Sequence, residues 1–253
     1  MRLKLCNTSR DAFTRGELLI VLASVGLLST VGLSLLAHTS NQSDLTVCAN
    51  NLSQVGRACH MWASDHGGEN PWWVSYRDGG NYVRSDEPPP STINVPGAGP
   101  MPTALRGNAW FQFGFISEEL RTARVLVCPA DRAKTRAEEF SNSVTKGYFA
   151  TIFQNRATTY FIGAHAFNLA PSAMLSGDRS LKEDGFGSCP VNLGNISRIQ
   201  LDSTAKSWTT DFHPGGGNLL LNDGRVEPLS NDGLNWFLSS SQSAGNTHIL
   251  KPF

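Results

Sequence analysis

The chain has 253 residues, enough for one large domain or two small ones, and carries 21 basic against 21 acidic side chains. That balance leaves no polyelectrolyte signature, so nucleic acid is excluded as a partner and strongly acidic substrates are poor candidates. Frequent glycine (24) and proline (13) with sparse charge suit a turn-rich, extracytoplasmic β domain.

In chain order, Arg2, Lys4 and Arg10 precede Leu18–Ala37, twenty residues without an ionisable group. As a helix these make roughly 30 Å, the thickness of a bilayer's hydrocarbon. The next basic residue is Arg57. The positive-inside rule therefore predicts a single-pass inner-membrane protein, its amino terminus cytoplasmic and its head periplasmic or extracellular. Glu17 stands at the mouth of the stretch, where a carboxylate needs compensation. Beyond it, Leu45, Cys48, Leu52, Val55, Cys59 and Trp62 recur at spacings of 3 and 4, one apolar stripe of a helix. No proline falls between Thr14 and Asn70, and "DHGG" (Asp65 to Gly68) before Pro71 is a stop. One continuous helix is predicted from about residue 14 to about residue 65, roughly 75 Å long.

"PWWVSY" (Pro71 to Tyr76) is expected to cover the helix end rather than to form a ligand platform. Asp86 to Pro102 has six prolines in seventeen residues and reads as a surface loop, 86–102. A short helix is predicted from Ser117, then a strand over Val125–Val127. "GYFATIF" and "TTYFIGA" (from Gly147 and Thr158) read as short β runs. In "HPGGGNLLLNDGRVEPL" (His213 to Leu229), Asp223-Gly224 supplies a hairpin turn that accepts positive φ, and Pro214 with Gly215–Gly217 makes a tight entry. This hairpin, 213–229, is expected to be structural, with His213 hydrogen-bonding near its entry. Asn231 or Asp232 then caps a short amphipathic helix.

Cys6 precedes the apolar span, whereas Cys48, Cys59, Cys128 and Cys189 follow it in a compartment that permits disulfides. Cys48 and Cys59 are roughly 16 Å apart on one helix, too far to bridge. A disulfide involving Cys128 is expected, with Cys189 as partner and a helix cysteine as the alternative. Cys128 precedes a proline at a strand end, and "GSCP" (Gly187 to Pro190) is a similar turn. No HExxH, GxSxG or convincing nucleophile–base constellation is present, so no catalytic residue is assigned and no enzyme is expected.

Ala12-Phe13-Thr14 with Glu17-Leu18-Leu19 resembles the amino-terminal cleavage and methylation motif of type IV prepilins and type II secretion pseudopilins. "VLVCPAD" (Val125 to Asp131), "GDRSL" (Gly177 to Leu181) and the nine residues between His213 and Asp223-Gly224 are similar to a pseudopilin-like subgroup with a carboxy-terminal His-x9-Asp-Gly motif. The resemblance implies an α+β, pilin-like fold, with one long transmembrane helix packed on an antiparallel β-rich head. Its parts would be a leader (1–12), the transmembrane (13–37) and periplasmic (38–66) parts of the helix, and the head (67–253). A prepilin peptidase would cut between Ala12 and Phe13, Phe13 would be N-methylated, and Glu17 would pair with the Phe13 amine of an adjacent subunit. The expected function is a structural subunit, a pseudopilin or minor pilin, whose partners are other pilin-like subunits, the peptidase and the inner membrane. Alanine replaces the family's usual glycine before the cut, and the family's helix-kinking proline is absent. The resemblance also raises calcium, for which Asp178, Asp184, Asp211 and Asp223 are oxygen donors. Their spacing matches no ligand loop, so no cofactor or metal is assigned. The alternative function is a monomeric membrane-tethered module that recognises a polysaccharide or an exported protein through Trp72, Trp73 and 213–217.

Overall fold

The computed structural model describes residues 15–166, 171–182, 186–187, 196–198, 208–209, 212–239 and 248–252, with side chains outside 28–42, 186–187 and 196–198. Among the described residues the α-helices are α1 (Arg15–Asp65), α2 (Ala109–Phe115), α3 (Ser117–Leu120) and α4 (Asn231–Ser239). The strands are β1 (Thr92–Val95), β2 (Gly99–Pro102), β3 (Tyr160–Gly163), β4 (Met174–Asp178), β5 (Phe186–Gly187), β6 (Ile196–Arg198), β7 (Gly216–Leu221), β8 (Val226–Ser230) and β9 (His248–Leu250). The chain divides into two compact units, Met1–Gln42 and Ser43–Phe253.

In the first unit the described side chains of α1 are exposed, the large apolar ones between Leu18 and Leu27 by 47% to 71%. Glu17 lies in the helix's first turn, where the positive end of the helix dipole favours a carboxylate. The expected membrane-spanning helix, and with it the fold as a transmembrane pilin, requires correction. Among the described residues, no helix is long and apolar enough to cross a membrane. The single-pass inner-membrane placement loses its support on the same ground.

The second unit is α+β with an antiparallel sheet. Seven strands run in the order β5-β6-β9-β3-β4-β7-β8, every described pair antiparallel. The 3–4 stripe of α1 is its helical counterpart, for Cys48, Leu52 and Val55 are fully buried and Cys59 and Trp62 nearly so. Asn50 and Arg57, on the other side, are exposed. Gly67 and Gly68 both take positive φ, and the Gly68 N–H returns to the Ala63 carbonyl at 2.8 Å, ending the helix where left-handed residues must follow.

Alternation along the strands sorts their side chains onto two faces. Tyr160, Ile162, Leu175, Leu220 and Leu250 join the core formed with α1 and the aromatic layer of α2. Phe161, Met174, Leu219, Leu221 and Ile249 join a second core under Leu234, Phe237 and Leu238 of α4. Both faces are therefore covered, which is why "LLL" at 219–221 is continuous rather than alternating. At Gly56 a Cβ would meet Leu220 Cδ1 at 2.8 Å, so a larger residue there would require the Leu220 side chain to shift.

Several local expectations change on folding. The segment 86–102 is not a plain loop, because β1 and β2 pair as a hairpin that buries Ile93, Val95 and Met101. Val125–Val127 is not a strand. Residues Ala123–Leu126 form a 3-10 turn whose entry is held by the Thr122 hydroxyl, which accepts from the Arg124 N–H. "GYFATIF" forms turns rather than a strand, and Tyr148, Phe149 and Phe153 enter the core from them. The cap of α4 is Ser230, whose hydroxyl accepts from the Gly233 N–H. Asn231 instead accepts from the Trp208 N–H at 2.8 Å.

Candidate functional site

Three of the resembling segments meet at one buried point beside α1. "VLVCPAD" brings Cys128 and Asp131, "GDRSL" brings Asp178 and Arg179, and the entry of the β7–β8 hairpin brings His213. Cys128 is joined to Cys48 of α1 by a disulfide, with Cα atoms 5.1 Å apart. The helix cysteine is thus the partner, and the expected pairing with Cys189 is corrected; Cys189 itself lies outside the described residues. The reason is the helical stripe, which turns Cys48 inward at the same level as the chain leaving the Ala123–Leu126 turn. Cys59 is a free, buried thiol, and burial, then the charge of Glu119, pushes it up to about 12.

Around the bridge the polar groups are paired in sequence. The Cys128 N–H donates to Thr159 Oγ1 at 3.1 Å, and that hydroxyl donates to Asp131 Oδ2 at 3.1 Å. Arg179 clamps Asp131 with two parallel bonds, Nε to Oδ2 and Nη2 to Oδ1, both 2.7 Å. Its guanidinium also lies over the Phe212 ring, 5.4 Å from the centroid. Asp178, fully buried, accepts from the Asn218 N–H (2.7 Å) and Nδ2 (3.1 Å). Asn218 Nδ2 also reaches the Leu45 carbonyl of α1 at 3.3 Å, so one β7 residue ties the sheet to the helix.

His213 is 4% exposed, with Nε2 3.2 Å from Cys128 Sγ and 3.9 Å from Asp178 Oδ2. Burial holds its pKa below the usual 6.5 despite the acids Asp44 and Asp131, which favours the neutral ring. For Asp178, burial outweighs the Asn218 hydrogen bonds and pushes the pKa up to about 7. The folded state thus retains a proton that the unfolded chain releases from near pH 3.8. Stability from this group is complete below that pH and is lost as pH rises toward 7. His213 acts with the opposite sign below 6.5, losing stability as pH falls. Asp178→Asn should therefore flatten the decline in stability between pH 5 and 7 while leaving the acid-side loss. Urea unfolding across that range measures it, and an unchanged slope in the variant would refute the buried-carboxyl account.

The remaining motif residues lie elsewhere. Gly215, at φ +77° and exposed, opens the hairpin. Asp223-Gly224 closes it at the far end of β7, roughly 20 Å from the entry at ~3.4 Å per residue. Gly224 takes φ +88°, and Asp223 accepts from the Arg225 N–H (3.0 Å) and Nε (2.7 Å). The nine-residue spacing of His213 and Asp223 therefore reflects one strand's length, not one site. Of the acids considered for calcium, Asp178 is buried against Asn218 and Asp223 is engaged by Arg225, whereas Asp184 and Asp211 lie outside the described residues. Ala12 and Phe13 lie outside them also. Trp72 is 1% exposed and belongs to the core, and Trp73 is partly buried against it.

Sequence reasoning named these segments and weighed Asp178 only as a calcium donor, and assigned no role to Asp131, Thr159, Arg179 or Asn218. The available signal was an acid and a base, each beside an apolar run, in two matching segments. Chemically the arrangement is a lock, with its sulfurs joined, its histidine neutral and its Asp131 carboxylate held by an arginine. It defines a head whose sheet is fastened to the stem helix by a disulfide and a polar relay. Comparison with protein-family models, curated proteins and solved structures finds no match to this chain.

Proposed function

We propose that the protein is a pilin-like structural subunit, a pseudopilin or minor pilin of a type II secretion or type IV pilus-like fibre, matured by a prepilin peptidase between Ala12 and Phe13. The observation that carries this reading is the apolar surface of α1 between Leu18 and Leu27. It stands exposed within its own chain, directly after the prepilin-like motif. Apolar helix surface on this scale requires cover, and the same helix of neighbouring subunits supplies it in a fibre. At its other end α1 is bonded into the head by Cys48, so load along the helix passes through a covalent link. The disulfide also supports an oxidising compartment for the head.

In this reading the partners are further pilin-like subunits and the peptidase, and Glu17 pairs with the methylated Phe13 amine of a neighbour. Glu17→Leu removes one side of that pair. Breaking a buried pair costs about 3–5 kcal/mol, and even half of that exceeds a tenfold shift in subunit incorporation. The experiment expresses the variant beside the wild type and compares cross-linked oligomer or sheared fibre with total protein. Leader cleavage is checked by mass spectrometry of the amino terminus. Equal oligomer yield from correctly cleaved Glu17→Leu would eliminate the assembly role.

A further inference from the structure

We propose that, before its disulfide closes, the head holds a divalent metal ion of the zinc class on Cys48, Cys128 and His213. The two sulfurs and a ring nitrogen of His213 lie within 4.8 Å of one another, and all three residues are buried. Among the described residues this is the one group of His, Cys, Asp or Glu close enough to share an ion. Tetrahedral zinc takes thiolate sulfur at about 2.3 Å and imidazole nitrogen at about 2.0 Å, which sets ligand atoms roughly 3.4–3.8 Å apart. His213 Nε2 already stands 3.2 Å from Cys128 Sγ, so the nitrogen needs only a small adjustment. The sulfurs must separate from bonding distance, about 2 Å, to roughly 3.7 Å.

Charge favours the same ion. Two thiolates neutralise a divalent cation, so the buried site takes up no net charge, whereas two unpaired thiolates there would be costly. Asp178 lies beside His213 but outside the group whose ligand atoms all come within 4.8 Å of one another. Asp178 Oδ2 lies 3.9 Å from His213 Nε2, and Asp178 Oδ1 is buried without a hydrogen-bond partner. Loading releases two thiol protons to solvent as two metal–sulfur bonds form. Closure then proceeds by exchange with an external disulfide. The two thiolates give up two electrons and form the Cys48–Cys128 bond, the external disulfide is reduced to two thiolates, and the cation leaves. The bound metal would hold α1 against the head in register until oxidation makes the link covalent.

The test uses the full chain, reduced with a phosphine under anaerobic conditions, with cobalt(II) as probe and zinc as competitor. Expected are one cobalt per chain, a thiolate-to-cobalt charge-transfer band that zinc removes, and a higher melting temperature of the reduced protein with zinc. The oxidised protein should show none of these. His213→Ala should weaken binding at least tenfold, and Cys128→Ser should abolish the band. Circular dichroism of the reduced chain accompanies each titration. No band in a folded reduced chain, an unfolded reduced chain that zinc fails to restore, or full affinity in His213→Ala would each overturn the proposal.

Discussion

Removing the Cys48–Cys128 bridge should destabilise the head by about 4–5 kcal/mol. The bond closes a loop over a separation of 80 residues. In the chain-entropy description, freeing a loop of that length in the unfolded state costs about this much. Converted at roughly 2–4 °C per kcal/mol for a unit of this size, the melting temperature should fall by roughly 8–20 °C. The variant is Cys48→Ala with Cys128→Ala, which leaves no half-paired thiol beside His213. Urea unfolding of oxidised wild type and variant measures the difference. A loss below about 1 kcal/mol would mean that the unfolded chain already keeps these segments together, and the bridge would then lose its role as the principal fastening of α1.

Arg179→Ala should cost about 3–5 kcal/mol, because it leaves the Asp131 carboxylate buried without its counter-charge. Asp131 is 2% and Arg179 16% exposed in the side chain, so solvent screening offers little relief. Arg179→Lys should recover only part of the loss, since an ammonium cannot reproduce the two parallel bonds at 2.7 Å. Replacing both partners by apolar residues of similar size, Asp131→Leu with Arg179→Met, should be milder than Arg179→Ala alone, although Thr159 then loses an acceptor. A double-mutant cycle by denaturant unfolding separates the coupling from the packing. Additive single effects would show that the pair contributes no more than an exposed bridge, at most about 1 kcal/mol.

These two expectations concern residues of very different legibility. Cys48 was readable as an inward position because helical periodicity is a local property, and the stripe from Leu45 to Trp62 repeats it six times. Its bonding to Cys128 was one of the pairings left open. Asp131 and Arg179 were visible only as members of two short segments 48 residues apart. Nothing in either segment states that strand β4 carries the arginine back over the turn that follows Cys128.

The boundary between the two kinds of information is physical. Helix continuity from Arg15 to Asp65, the Asp223-Gly224 turn and the strands on either side depend on spacing, missing prolines and glycine's tolerance of positive φ, all of which act within a few residues. The sequence by itself therefore determined the hairpin, the short helix α4 and the inward face of the second half of α1. Tertiary structure alone decided the rest. It made a hairpin of the proline-rich 86–102 segment by burying Ile93, Val95 and Met101, and turned Val125–Val127 away from a strand. It also chose Cys48 over Cys189, and converted His213 from a hairpin residue into a neighbour of the disulfide. Each of these depends on which distant surfaces meet, and long-range packing outweighs local preference wherever it buries large side chains or pairs buried charge.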